Sequence, residues 1–364
     1  MIFNNIYMIE QDFVCTDDFV SNGIVKWNSP SNIALVKYWG KKENQIPQNP
    51  SISFTLSKCH TSTSLEFKPK KNKDSNVIFE FEEEKNHPFG QKIKLFISSI
   101  EKYFKFLNNH DIYIRSKNNF PHSSGIASSA SSMSALSSCL VDFEYLNSNK
   151  KNKSYYTNKK SFIARLGSGS ASRSIEGPIS LWGLSDSYQG SSDLYSINIS
   201  KDVNKVFLSY QNSILIIDPG VKKISSSIGH KLINENPFSN TRFDIARNNI
   251  SRLKDIFKSG NLDEFINLTE SEALMIHSLM LSSNPYFILM KPNTLEVISR
   301  ILEYRRETKS PISFTLDAGS NVHLLYPLSI KQTVQKFIKD DLLIFCKSNA
   351  CIHDYLGKGA EKVL

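Results

Sequence analysis

The stretch Asn119-Phe120-Pro121-His122-Ser123-Ser124-Gly125-Ile126-Ala127-Ser128-Ser129-Ala130-Ser131 constrains this chain more than any other. Small residues and hydroxyls crowd around one glycine, and the sequence then runs into an Ala-, Ser-, Leu- and Met-rich segment, 127–145, that suits a buried helix. Gly125 and its small neighbours allow backbone to approach a ligand closely. The free N–H groups and positive dipole end of the following helix favour a phosphate there. The serines add donors and possible Mg²⁺ contacts. No lysine follows the glycine as a Walker A loop requires, which argues against a P-loop NTPase. Ser/Gly-rich turns also serve merely as helix caps, so the segment by itself leaves both roles open.

At 364 residues the chain is long enough for two core-bearing domains. Its 44 Lys and Arg against 35 Asp and Glu give a formal charge of +9, which suits nucleic acid or a polyanionic small molecule. Much of the excess sits in Lys70-Lys71-Asn72-Lys73 and Lys150-Lys151-Asn152-Lys153, which read as solvated loops. There is no aromatic-interleaved basic stripe and no zinc-finger spacing, so a small anionic ligand is favoured and no nucleic-acid partner is expected. The five cysteines are scattered without a CxxC pair, as in a reducing compartment. Acids at Glu10, Asp17 and Asp18 replace the basic start of a signal peptide, and no apolar run approaches a membrane span. A cytoplasmic protein with no membrane partner is expected.

Short apolar or alternating runs predict strands at 23–27, 51–56, 61–67, 77–81 and 111–115, making the N-terminal quarter mostly β. Ile93, Ile97, Ile100, Phe104 and Leu107 recur at helical spacing. A helix at 156–166 leads into the small-residue turn Gly167-Ser168-Gly169-Ser170-Ala171-Ser172-Arg173-Ser174, and strands follow at 179–184 and 213–218. Long helices are predicted at 241–258, 262–281 and 294–307, a strand at 311–316 with a return strand at 322–326, then a helix at 330–339 and a strand at 342–346. The shift in pattern places a boundary near 190–220, giving an N-terminal domain over 1–205 and a C-terminal α+β domain over 206–364.

Four polar clusters interrupt apolar surroundings. Lys37 follows the apolar run Ile33-Ala34-Leu35-Val36, with Tyr38 and Lys41 beside it, although a lysine there is ordinarily solvated. Arg173 follows a Gly/Ser turn, where a guanidinium can clamp a carboxylate or phosphate. Asp317 ends a strand before a glycine, a position open both to a reactive carboxylate and to a plain turn residue. Lys222-Lys223-Ile224-Ser225-Ser226-Ser227 offers further phosphate donors or a helix N-cap. His230, His277 and His323 lack metal-ligand spacing and read as core or surface residues.

Taken together these motifs resemble the mevalonate diphosphate decarboxylases of the GHMP kinase superfamily. The resemblance rests on Asn32-Ile33-Ala34-Leu35-Val36-Lys37-Tyr38-Trp39-Gly40-Lys41, on 119–130, on 167–173, on Ser225-Ser226 and on Phe314-Thr315-Leu316-Asp317-Ala318-Gly319, in family order from 23 to 326. Three departures bear on substrate preference: Asn49-Pro50-Ser51 for Asn-Ser-Ser, Ser172 for Cys, and His122-Ser123-Ser124 for a Thr-Ala-Ala-like stretch.

The resemblance implies an α+β GHMP kinase fold, with an N-terminal domain like the second domain of ribosomal protein S5, a ferredoxin-like C-terminal domain and the active site between them. It implies ATP and Mg²⁺, conversion of mevalonate 5-diphosphate to isopentenyl diphosphate, and a homodimer. By the same resemblance Asp317 takes the 3-hydroxyl proton, Lys37 holds that geometry and charge, and Arg173 aligns the substrate carboxylate. Tyr38, Lys41, Ser168, Ser170, Ser226 and Ser227 fall to the substrate phosphates. Pro121, Ser124, Gly125, Ala127, Ser128 and Ser129 fall to ATP, with Ser128 as the Mg²⁺ contact. The alternatives are a mevalonate-type kinase that stops at the phosphorylated alcohol, a mevalonate 5-phosphate decarboxylase, and a non-catalytic RNA-binding or scaffold protein.

Overall fold

A computed structural model describes residues 8–70, 77–85, 87–121, 126–218 and 226–364, the side chains of Ser226 and Ser227 excepted. Ser124, Gly125, Lys222, Lys223 and Ser225 therefore lie outside the described residues, as do the side chains of the two expected phosphate serines Ser226 and Ser227.

The first half contains β1 (Gly23–Val36), β2 (Ser51–Pro69), β3 (Val77–Phe81), α1 (Phe89–Ile100), β4 (His110–Asn118), α2 (Ser128–Asn147), α3 (Lys153–Gly167), β5 (Ile179–Trp182) and β6 (Ser196–Asn198). The second contains α4 (Lys205–Leu208), β7 (Gln211–Leu215), α5 (Ser226–Ile233), α6 (Ser239–Ser259), α7 (Leu262–Leu281), α8 (Pro292–Thr308), β8 (Ser313–Thr315), β9 (Val322–Tyr326), α9 (Lys331–Phe337), β10 (Cys351–Tyr355) and β11 (Glu361–Lys362). A seven-stranded sheet runs β11-β1-β2-β4-β3, with β5 also pairing β2 and β6 pairing β5. Among the described residues only the β3–β4 pair in it is parallel. A separate antiparallel sheet runs β10-β7-β9-β8. We propose the division near residue 205 on this separation of sheets, noting that β11 returns to pair Trp27 with Lys362 and Asn28 with Glu361.

The expected strands at 51–56 and 61–67 are one strand, β2. From Cys59 to Phe67 it alternates buried and partly buried residues, as a sheet with one covered face does, whereas Ser51 to Leu56 are all buried. The end of β1 is likewise buried on both faces. Those doubly covered ends mark where the two halves meet. Register shifts in β1 fall between Pro30 and Asn32 and between Ala34 and Val36, the first beside a residue with no N–H to donate.

Two expectations fail. The helical spacing through Leu107 does not prolong α1; Phe104 (φ −144°, ψ 80°) leaves helical geometry and separates two short 3₁₀ turns, Glu101–Tyr103 and Lys105–Asn109. The strand expected at 342–346 is a series of helical turns continuing from α9. Ile338, Leu342 and Cys346 recur every fourth residue and bury together in the C-terminal core, so helical rather than strand geometry places all three inward. The sheet edge is filled by β10 instead.

α2 is buried over most of its length, and its serines are what make that tolerable. Ser134 accepts from Ser29 at 2.6 Å, Ser131 shares a hydrogen bond with Thr61 at 2.6 Å, and Ser137 donates to the Lys160 carbonyl at 2.5 Å. A second apolar cluster joins Ile33, Leu35, Val36, Ile52 and Phe54 to Ile250, Leu253, Phe257 and Phe265 of α6 and α7 and to Ile214 and Leu325 of the second sheet. This cluster fixes the two halves against each other beside the doubly buried ends of β1 and β2. Among the described residues no helix is long and apolar enough to cross a membrane.

Candidate active site

β1 delivers Lys37 one residue beyond its end, into the junction, where the side chain is 2% exposed. β8 and the turn after it deliver Asp317 from the other half. Lys37 Nζ lies 3.2 Å from Asp317 Oδ1, whose side chain is 27% exposed and so faces both the lysine and the opening. Burial pulls the Lys37 ammonium below the ordinary lysine range, while Asp317 and then Glu272 oppose that shift. A desolvated cation held on a half-accessible carboxylate is a poised pair, able to fix a hydroxyl and to balance charge as its proton leaves.

Arg173 lies in the short helical turn after α3 and is also buried. Its Nε donates to Ser53 Oγ at 2.5 Å and its Nη1 to Ser51 Oγ at 2.6 Å, both from the doubly buried end of β2. No hydrogen bond engages its Nη2 among the described residues, which leaves one arm of the guanidinium for a ligand. Burial lowers its pKa to about 10, against the pull of Asp317 and then Tyr38, and it remains a cation near neutrality.

Tyr38 is wedged between rings, with centroids 4.8 Å from Trp182 and 4.5 Å from His230. Its hydroxyl is buried without a partner among the described residues, and burial raises its pKa. Gly169 is required here because a Cβ on it would come within 2.7 Å of that hydroxyl and of Trp182. Tyr38 thus connects the Lys37 region to the Gly/Ser turn. In that turn Ser168 Oγ lies 3.5 Å from Ser170 Oγ and 3.4 Å from Ser129 Oγ at the start of α2. The serines expected for substrate phosphate and for ATP are therefore neighbours.

α2 begins after Ala127, which has left-handed backbone (φ 47°) and offers no side-chain cap. Ala130 N–H donates to the Ala127 carbonyl at 2.8 Å, and among the described residues the Ser128 and Ser129 N–H groups are left to an incoming acceptor, as an anion site needs. Among the described residues the Ser128 hydroxyl makes no hydrogen bond, and only its carbonyl is used, by Ser131. That free oxygen donor beside the anion-facing turn fits a Mg²⁺ contact. Pro121 is exposed at the start of the same loop. Lys41 turns to Gln45 Oε1 at 2.9 Å, and partial burial lowers its pKa.

The histidines lie in hydrogen bonds of the scaffold. His230 Nδ1 accepts from the Gly40 N–H at 2.9 Å, and burial takes its pKa to about 3. His277 Nε2 reaches the Asp317 carbonyl at 3.1 Å. His323 Nδ1 meets Asn212, and burial takes its pKa to about 4. Sequence reasoning missed Ser51 and Ser53 as Arg173 partners, and it missed Glu272, which accepts the Lys37 N–H at 2.9 Å. A signal existed for Glu272: it stands four residues from both Leu268 and Ile276, a charge on the apolar stripe of α7.

Comparisons with known proteins bear on the family and the fold. Residues 29–194 match the diphosphomevalonate decarboxylase-like N-terminal domain, and residues 213–360 match the mevalonate 5-diphosphate decarboxylase C-terminal domain. The diphosphomevalonate decarboxylase of Ganoderma lucidum is 27% identical over 86% of this chain and 80% of its own length. The phosphomevalonate decarboxylase of Haloferax volcanii is 25% identical over 80% of this chain and 84% of its own length. A structure of MDDEF in complex with MVAPP, AMPPCP and magnesium superposes with a TM-score of 0.80 at 26% identity, covering 94% of this chain and 99% of that one. The fold is accordingly the α+β GHMP kinase fold. Two domain models in chain order, a full-length structural match and the same motifs read independently from the sequence lead to one conclusion: the chain belongs to the mevalonate diphosphate decarboxylase family.

Proposed function

We propose that this enzyme converts mevalonate 5-diphosphate and ATP to isopentenyl diphosphate, ADP, phosphate and CO₂. The observation that carries the proposal is the 3.2 Å contact between the buried Lys37 ammonium and Asp317 at the junction of the two halves. A 3-hydroxy carboxylate loses CO₂ reluctantly, because hydroxide leaves poorly and no carbonyl lies β to the carboxylate. Phosphorylation of the tertiary hydroxyl removes that obstacle.

Asp317 orients the 3-hydroxyl and takes its proton as the oxygen bonds to the γ-phosphorus and the bond to ADP breaks. Lys37 balances the charge on that carboxylate and on the oxygens around the transferring phosphorus. Ser128 and Ser129 with the start of α2 hold the nucleotide phosphates, as Ser124 and Gly125 do on the same reading, and Ser128 would hold Mg²⁺. When bound there, the ion would supply charge neutralisation. In the second stage the C3–O bond breaks with its electron pair going to phosphate. The C1–C2 pair becomes the C2–C3 double bond and CO₂ leaves. Arg173 keeps the carboxylate aligned for that cleavage, and Ser168, Ser170 and Tyr38 face the phosphate end. The five free cysteines support a cytoplasmic location, and the family resemblance supports a homodimer.

With Mg²⁺, ATP and mevalonate 5-diphosphate the purified protein should release ADP, phosphate and CO₂ in equal amounts. A stable 3-phosphorylated product without CO₂ would identify a kinase instead. A second reading, decarboxylation of mevalonate 5-phosphate, draws on the Haloferax relative, and faster turnover of the monophosphate would select it.

The Arg173→Lys protein should turn over at least about tenfold more slowly. An ammonium keeps the charge but cannot span Ser51 and Ser53 while presenting a third planar nitrogen to a carboxylate. Steady-state CO₂ release by the folded variant measures this, and wild-type turnover rejects Arg173 as the clamp.

A further inference from the structure

One helix grips the main chain of both members of the Lys37–Asp317 pair. From α7, Glu272 Oε2 accepts the Lys37 N–H at 2.9 Å. Also from α7, His277 Nε2 lies 3.1 Å from the Asp317 carbonyl oxygen. A carbonyl only accepts, so Nε2 carries the proton in that contact. Both side chains are buried. The Glu272 carboxylate is itself held from α6, by Arg242 Nη2 at 2.6 Å and by Asn249 Nδ2 at 2.7 Å. The Lys37 carbonyl accepts from Asn49 Nδ2 at 3.1 Å and lies 3.4 Å from Arg242 Nη2.

The sheets do not supply these partners. The β1–β2 ladder ends at Val36 opposite Ile52, and the β8–β9 ladder ends at Thr315 opposite His323. Lys37 and Asp317 both lie just past the end of a ladder. A lysine side chain has four rotatable bonds, so its ammonium is placed only as well as its backbone is. Cohesion of the junction does not call for a buried ion pair, because apolar residues of similar size would serve as well or better. The apolar neighbours Leu268 and Ile276 already provide that cohesion on the same face of α7.

We propose that α7 is a positioning element: Glu272, oriented by Arg242, and His277 set the Lys37 and Asp317 backbones so that ammonium and carboxylate meet in reactive geometry. The turnover readout rests on the proposed decarboxylase function, whereas the Lys37–Asp317 separation is independent of it.

The test compares His277→Leu, His277→Gln and Glu272→Leu. His277→Leu removes the donor and should lower kcat about 10- to 100-fold with KM for ATP unchanged, since small misplacements of reacting groups are that costly. His277→Gln restores an N–H donor and should recover most of the lost kcat. Glu272→Leu removes the acceptor of the Lys37 N–H and should act like His277→Leu, and if it does not fold, the two His277 variants decide. Adding His277→Leu to Asp317→Asn should cause no further loss, because the pair being positioned is already broken. A crystal structure of His277→Leu should show Nζ and Oδ1 beyond about 4 Å, the limit of an ion pair. Wild-type kcat in His277→Leu, equal loss in both His277 variants, or an additive loss on Asp317→Asn overturns the proposal. If the wild-type protein turns over neither phosphorylated mevalonate, the decarboxylase reading falls and the separation in His277→Leu still decides the positioning role.

Discussion

Asp317→Asn should reduce turnover by about 10²–10⁴-fold while the protein remains folded. A tertiary alcohol is too weak an acid to ionise near neutrality, so the carboxylate contributes as the O–P bond develops. Asparagine keeps the size and the hydrogen bonding but can accept no proton. The side chain is 27% exposed, so an amide can be solvated there, and its Oδ1 can still accept from the buried Lys37 ammonium. A turn residue without a chemical role predicts the opposite, since asparagine suits turns well. Rapid-quench ADP formation, CO₂ release and ATP binding should be measured on the same sample. Normal ADP formation with failed CO₂ release would move Asp317 to the elimination stage, and normal values for both would remove it from catalysis.

Lys37→Met should lower kcat by about 10²–10³-fold, the usual consequence of deleting one preorganised charge from a water-poor site. Thermal stability should be unchanged or higher. The ammonium is fully desolvated, its pKa is held down by that burial, and an apolar chain of similar length removes the cost of burying it. The sign of the wild-type pH dependence follows from the same shift. Lys37 is charged below its lowered pKa and loses its proton as pH rises through it. The alkaline limb of kcat should therefore fall below the ordinary lysine range and vanish in Lys37→Met. Loss of folding, or unchanged turnover in the folded variant, would refute the assignment.

Much of the local structure is legible along the chain, because it depends on neighbours in sequence. The spacing of apolar residues reproduces α7 (Leu262–Leu281) and β9 (Val322–Tyr326) at their observed bounds. It misses where a period changes meaning. The residues at 342–346 are apolar enough for a strand, but Ile338, Leu342 and Cys346 share a core only if the chain keeps coiling. β2 reads as two strands because its junction half is buried on both faces and loses the alternation that marks its other half.

The chemical inventory is written along the chain: a glycine and serine turn opening a small-residue helix, a lysine after an apolar strand, an arginine after a second small turn, and an aspartate before a glycine. Each is a local pattern of residue type and spacing, and local sterics and propensity suffice to write it. Which of these groups meet depends on long-range packing. Lys37 and Asp317 lie 280 residues apart in sequence, and their contact exists because apolar packing locks β1 and β2 onto α6 and α7. The same packing turns Glu272 from one more acid in a helix into the hydrogen-bond acceptor of the Lys37 backbone. It also pairs the Arg173 guanidinium with two serines of β2. No spacing rule along the chain encodes such partners, because the free energy that brings them together is the burial of apolar surface elsewhere in the junction.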